Sequence, residues 1–175
     1  MNAVRLVLAL TITAMFTSAQ NSDVSLLLGT SQSKIPNDVS APQLGGFTRR
    51  VVTLQAVYAR QLYENGKHRL YFEIPFVTSG AVFVSPGIRY QFNLTNRLGI
   101  YAVAGAGVAA QQRFDGSDFG WRANFAYDFG GGLDFRLTRL ISLRGELRKF
   151  RTTPQPTFGF GEAYPAAQAG FAFHF

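Results

Sequence analysis

Ala166-Ala-Gln-Ala-Gly-Phe-Ala-Phe-His-Phe175 is the closing stretch of a chain of 175 residues. Counted in twos, Ala167, Ala169, Phe171, Phe173 and Phe175 fall on one face, and Gln168, Gly170, Ala172 and His174 fall on the other. At the edge of a soluble sheet such an aromatic stripe invites edge-to-edge aggregation. A strand facing lipid has the opposite need. About ten residues of tilted strand cross a bilayer, apolar outward and small or polar inward, and closing the sheet leaves no backbone group unpaired. The stretch is read as the last strand of a transmembrane barrel.

The same residues resemble the C-terminal signal of bacterial outer-membrane barrels. That signal is a polar residue, any residue, glycine, two of any kind, an aromatic or apolar residue, any residue, and a terminal aromatic. Gln168, Gly170, Phe173 and Phe175 fill it without a gap. The resemblance implies recognition by the barrel-assembly machinery of the outer membrane.

The opposite end makes an independent case. Residues 1–19 carry one early cation, Arg5, then the apolar run Leu6 to Phe16 and the small-residue site Thr17-Ser18-Ala19. This is the pattern of a helical secretory signal peptide cleaved after Ala19, too short for a spanning helix. It leaves residues 20–175 as one barrel domain. The chain has no cysteine, which excludes a disulfide framework, a thiolate metal site and a lipoprotein anchor. Its formal net charge is +7, but the cations are scattered along alternating strands and turns with no basic helix or patch, so nucleic acid is not an expected partner.

Period-two alternation predicts seven further strands. The first runs over about residues 24–30, with Val24, Leu26 and Leu28 alternating with Ser25, Leu27 and Gly29. A long polar connection over 31–50 leads to the second, 51–63, whose outward set is Val52, Leu54, Ala56, Tyr58 and Leu62. Arg60 falls on that lipid face and is read as an anchor snorkelling to the headgroups. A three-residue loop, Asn65 to Lys67, pairs Leu62 with Leu70 and Tyr58 with Ile74. The third strand, 68–77, sets Leu70, Phe72, Ile74 and Phe76 outward. Its inward Pro75 has no N–H for the ladder and predicts a bulge.

A short loop through Ser79-Gly80 and Val82 to Pro86-Gly87 leads to the fourth strand, 88–94, with Ile88, Tyr90, Phe92 and Leu94 outward and Arg89, Gln91 and Asn93 inward. The fifth, 100–112, is so rich in Gly and Ala that its phase is weak; Tyr101 and Val103 are taken as outward and Ala102, Ala104 and Ala106 as inward. After a polar loop over 113–120, the sixth strand, 121–137, sends Trp121, Phe125, Tyr127, Phe129, Leu133 and Phe135 to lipid. The seventh strand, from Ile141, sends out Ile141, Leu143, Gly145 and Leu147 and sends in Arg144, Glu146 and Arg148. A Pro/Gly/Phe-rich connection over 152–165 precedes the eighth. Longer connections alternate with tight turns, and both termini fall on the tight-turn side, the asymmetry of an outer-membrane barrel with periplasmic termini.

The expected fold is therefore all-β: an eight-stranded antiparallel up-and-down transmembrane barrel. An eight-stranded barrel has an interior that side chains fill. The inward charges expected there are Glu73, Arg89, Arg122, Asp128, Asp134, Arg136, Arg144, Glu146 and Arg148. Both signs are present, so the set can neutralise itself as a salt-bridged plug, with Asp134 opposite Arg144 and Glu73 near Arg89. Across its length the chain resembles the small outer-membrane barrels of the OmpA/OmpX and opacity-protein type. That resemblance implies an integral surface protein acting through its outer loops, whose partners are outer-membrane lipid and lipopolysaccharide, the assembly machinery and an unspecified extracellular ligand, with no cofactor. A narrow porin-like channel is the alternative. A lipid-modifying enzyme ranks below both, because His68 and His174 both lie at the tight-turn end, away from the outer leaflet, and neither is two residues from a serine. Two distant histidines do not make a metal site either.

Overall fold

The computed structural model describes residues 21–34, 48–78, 81–115, 118–152 and 163–175. The expected signal segment and the stretch 153–162 lie outside these residues. The regular structure described is all strand: β1 (Ser22–Lys34), β2 (Thr48–Asn65), β3 (His68–Thr78), β4 (Val82–Val84), β5 (Gly87–Asn93), β6 (Leu98–Asp115), β7 (Asp118–Arg136), β8 (Ile141–Thr152) and β9 (Ala163–His174). Every pairing is antiparallel, and β1 bonds both to β2 and to β9, which closes the sheet. β4 and β5 continue one register, with Val84 opposite Phe76 and Gly87 opposite Glu73. They are two halves of one stave, so the barrel has eight.

The break between those halves explains Pro75. The ladder between β2 and β3 runs through Val57 opposite Pro75 without a shift, so the expected bulge does not form there. On its other side Pro75 meets the gap at Ser85-Pro86, where β3 has no partner between Gly87 and Val84. Two prolines that cannot donate thus share one gap, and the fourth stave stays tied to β6 through Ala106 N–H donating to the Pro86 carbonyl at 3.1 Å.

The extra residue lies elsewhere. Asn65 pairs with His68, leaving a two-residue turn in which Gly66 takes the left-handed φ of 58°. Such turns match the twist of the flanking strands. The register then shifts between Gln61 and Tyr63, so Leu62 is the odd residue, Tyr63 faces Leu70 in its place, and Tyr58 faces Ile74 as expected. The bulge restores the inward and outward phase that a pure two-residue turn would have inverted.

Outside, the barrel carries an apolar belt that includes Leu26, Leu54, Phe76, Ile88, Phe129, Leu143 and Phe171, all exposed. On β6 the expected phase is reversed. Tyr101 and Val103 are buried in the lumen, while Ala102, Ala104, Ala106 and Val108 face out. Paired residues share a face, and Tyr101 stands between inward Gln91 and inward Gly132. A Cβ on Gly132 would lie 2.5 Å from the Tyr101 hydroxyl oxygen, so the ring occupies the room that this glycine leaves. The polar connection expected over 113–120 is also shorter than its sequence implies. β6 and β7 pair as far as Asp115 opposite Asp118, beyond the last paired residue of either neighbouring stave.

Candidate functional site

The lumen is filled in two layers. The first, nearer the tight turns, is ionic. Asp23 on β1 accepts from Arg89 on β5, and from Arg144 on β8 at 3.2 Å. Arg144 also donates to Asp134 at 3.0 and 2.7 Å and to Ser25 Oγ at 3.1 Å. Arg148 donates to Glu73 at 2.6 Å, to Glu146 at 3.3 Å and to Asp128. Glu146 further accepts from Gln55 and from the Tyr101 hydroxyl, both at 3.0 Å. The Arg89 guanidinium lies 4.2 Å from the centroid of the Tyr71 ring, so its flat face is covered as well as its edge.

The second layer, towards the long connections, is apolar: Val77, Ala81, Phe83, Ala109, Ala126, Phe150 and Ala166 form one buried cluster. Phe83 and Phe150 meet at a ring distance of 5.1 Å, an attractive tilted pair. Neither ring is among the lumen residues expected from sequence: Phe83 falls in the expected loop before the fourth strand, and Phe150 follows Arg148, the last inward residue expected on the seventh.

Of the nine expected lumen charges, Glu73, Arg89, Asp128, Asp134, Arg144, Glu146 and Arg148 are buried together. Arg136 is half-buried at the tight-turn mouth and makes no ion pair among the described residues. The side chain of Arg122 lies outside the described residues. Asp23, 1% exposed, is a centre of the network that was not anticipated. The expected first strand begins at Val24, one residue later, although alternation with Ser25 and Leu27 puts Asp23 on the lumen face. The expected pair Asp134–Arg144 is in direct register and contact. Glu73 and Arg89 are 3.9 Å apart, and the close partner of Glu73 is Arg148. Asp23, Glu73, Asp128, Asp134 and Glu146 face three arginines, 89, 144 and 148, an excess of two negative charges among the described buried groups.

The residues of the terminal motif also have definite places. Gln168 faces the lumen and is buried. Gly170 allows close strand approach, since a Cβ there would lie 1.9 Å from the Leu26 carbonyl oxygen. Phe173 is exposed on the outer face. Phe175 exchanges two backbone hydrogen bonds of 3.0 Å with Ser22, the last bonds of the closure between β9 and β1.

At the tight-turn end His68 Nδ1 lies 2.6 Å from the Tyr90 hydroxyl, and His174 Nε2 bonds to Ser142 Oγ. The second contact, between residues 32 apart in the chain, was not legible from sequence spacing. Ser142 is completely buried. At the tip of the β2–β3 hairpin, desolvation pushes the Glu64 carboxyl up, but hydrogen bonds from Arg69 and Gln61 outweigh it and hold the group below its ordinary value.

No family model and no curated protein matches the chain. Solved structures do. Neisserial surface protein A (NspA) superposes with a TM-score of 0.63 at 10% identity, over 89% of this chain and 98% of that one. The attachment invasion locus protein Ail of Yersinia pestis gives 0.52 at 14% identity, over 88% and 100%. The outer membrane enzyme PagL gives 0.52 at 16% identity, over 87% and 99%. At such identities the likeness is one of fold. This chain has the fold of the small eight-stranded outer-membrane β-barrels.

Proposed function

We propose that the protein is an integral outer-membrane barrel, sealed to solutes, that acts through the surface at its long-connection end, with both termini in the periplasm. The carrying observation is the two-layer filling of the lumen. A continuous water path would have to pass both the buried arginine–carboxylate network and the Phe83–Phe150 layer. Removing one partner of a buried ion pair costs several kcal/mol, so the network does not open by side-chain rotation alone. The orientation rests on the tight turns at residues 66–67, 94–97 and 137–140 sharing one end with the termini. Two of the similar structures are named for surface or attachment roles, which agrees with work done by the connections.

A lipid-modifying enzyme is the less favoured reading. The serine beside His174 is completely buried, so a substrate carbonyl has no approach to its hydroxyl. The expected partners are outer-membrane lipid and lipopolysaccharide, the assembly machinery and an extracellular ligand at the long-connection end. Purified protein in planar bilayers tests the sealed lumen. It should give no stable single-channel steps, and large reproducible steps would establish the pore instead.

A further inference from the structure

The tight-turn mouth of the lumen is ringed by cations. Two cavities, of about 420 and 480 Å³, open there, and Arg69 and Arg136 line both. Lys67 and Arg97 add to the wall of the first, and Arg139 to that of the second. Arg69 is taken by Glu64 at 2.7 Å. Lys67, Arg97, Arg136 and Arg139 have no ion-pair partner among the described residues. The carboxylates on the floor, Asp23 and Asp134, are both engaged by Arg144.

The backbone holds these cations in place. Arg136 N–H donates to the Arg97 carbonyl at 2.7 Å, which sets the two arginines side by side, and Asn93 N–H donates to the Lys67 carbonyl at 2.8 Å. Two of the turns are built alike. Thr95 Oγ1 accepts from the N–H groups of Arg97 and Leu98, and Thr138 Oγ1 from those of Leu140 and Ile141. Cations on turns pinned in this way have less freedom to lose on binding than cations on free loops. Between them stand the side-chain amides of Asn21, Gln61, Gln91, Asn93 and Asn96. Amides both donate and accept, as a bound peptide backbone requires, whereas a phosphate group needs donors alone. The inward residues Gln91, Asn93 and Asp134 form part of the wall, so a lipid headgroup packed against the outer belt would have to leave the bilayer to enter.

We propose that the tight-turn mouth docks an acidic peptide segment of a periplasmic partner. Arg97 and Arg136 donate to one carboxylate as forks, Lys67 and Arg139 meet carboxylates on either side, and the amides pair with the backbone of the segment. The lumen beneath is filled by the ionic layer, so the segment lies across the mouth and does not thread it. Placing the partner in the periplasm rests on the proposed orientation of the termini; the chemistry of the mouth is independent of it.

The full chain, folded in zwitterionic detergent micelles, is titrated into a dye-labelled peptide of alternating Asp and Gly, with the Asn-Gly peptide as its neutral counterpart, and fluorescence anisotropy is read. The acidic peptide should bind about tenfold or more tightly than the neutral one at low salt and weaken as salt rises. Arg97→Gln with Arg136→Gln should weaken it about tenfold or more. Lys149→Gln with Arg151→Gln, which removes the same charge from the opposite end of the barrel, should leave it unchanged. Heat-modifiable migration checks that each variant is folded. Equal binding of the two peptides, or equal weakening by the two double variants, would overturn the site. Tighter binding of pyrophosphate, of a short-chain phosphatidylglycerol or of an oligonucleotide than of the acidic peptide would overturn the peptide as its occupant. Orientation is read apart from binding: Lys67→Cys in cells should react with a bulky impermeant thiol reagent only after the outer membrane is permeabilised. Labelling of intact cells would overturn the periplasmic partner and the proposed orientation, and leave the peptide-binding result standing.

Discussion

Replacing Asp23 by Asn tests the ionic layer at its most exposed dependency. Asp23 is the close acceptor of Arg89, whose only other carboxylate contact among the described residues is Glu73 at 3.9 Å. Arg144, in contrast, keeps Asp134 at 2.7 Å when Asp23 is neutralised. The substitution therefore strands one fully buried guanidinium, and a buried pair broken on one side costs about 3–5 kcal/mol. Asp134→Asn should cost less, about 1–3 kcal/mol, because Arg144 still holds Asp23. The charge count argues the other way, since the described buried groups carry two excess negative charges and losing one would relieve repulsion. Local pairing should win, because a contact at hydrogen-bond distance outweighs a diffuse excess spread over the lumen. The assay is reversible urea unfolding of each variant in lipid vesicles. Arg89→Met should rescue Asp23→Asn in part, with a coupling of about 2 kcal/mol in the double-mutant cycle. If Asp23→Asn falls within about 0.5 kcal/mol of the parent, or costs less than Asp134→Asn, the network does not hold the lumen as described.

Two further outcomes follow from close contacts. Gly132→Ala should destabilise the barrel by about 1–3 kcal/mol, since its Cβ would meet the Gly145 carbonyl oxygen at 2.1 Å and the Tyr101 ring; unfolding in the same vesicles reads it, and a silent substitution would mean that Tyr101 does not lie over this glycine. Phe175→Lys should lower the heat-modifiable folded fraction in outer membranes far more than Lys67→Ala at a turn, because Phe175 makes the last bonds of closure; equal yields would remove the assembly-signal reading.

Much of the wall was legible because one face of each strand is large and apolar. Where Phe, Leu, Ile and Tyr alternate with charges, as on β3, β5 and β8, period two alone gives the right face. β6 defeats that reasoning, since alanine and glycine give neither face a preference and the phase is set by partners. The neighbouring strand held the answer: with Phe92 outward, the tight turn sets Ile100 opposite it and Tyr101 inward. The glycine run 130–132 was a second signal, an open patch that an aromatic side chain from the facing strand could cover. Asp23 was legible by alternation, since it continues the lumen face of Ser25 and Leu27 one residue before Val24. The apolar layer was not, because Ala126, Ala166, Val77 and Phe83 come from four staves and meet only after closure. The proline gap needed pairing information too, as Pro75 and Pro86 compensate one another across two strands.

A cysteine scan along β1 tests the central claim, a lipid-spanning barrel with a sealed interior, most directly. The chain has no cysteine of its own, and residues 25–28 alternate between buried Ser25 and Leu27 and exposed Leu26 and Leu28. Each single-cysteine variant is folded into vesicles, then treated with a water-soluble thiol reagent, or labelled before folding with a fluorophore whose quenching by lipid-borne quenchers is measured. Labels at positions 26 and 28 should be quenched from the lipid, and cysteines at 25 and 27 should be inert to the aqueous reagent in the folded barrel. Rapid aqueous labelling at 25 and 27 would describe a water-filled pore, and lipid quenching without a period of two would contradict the barrel itself.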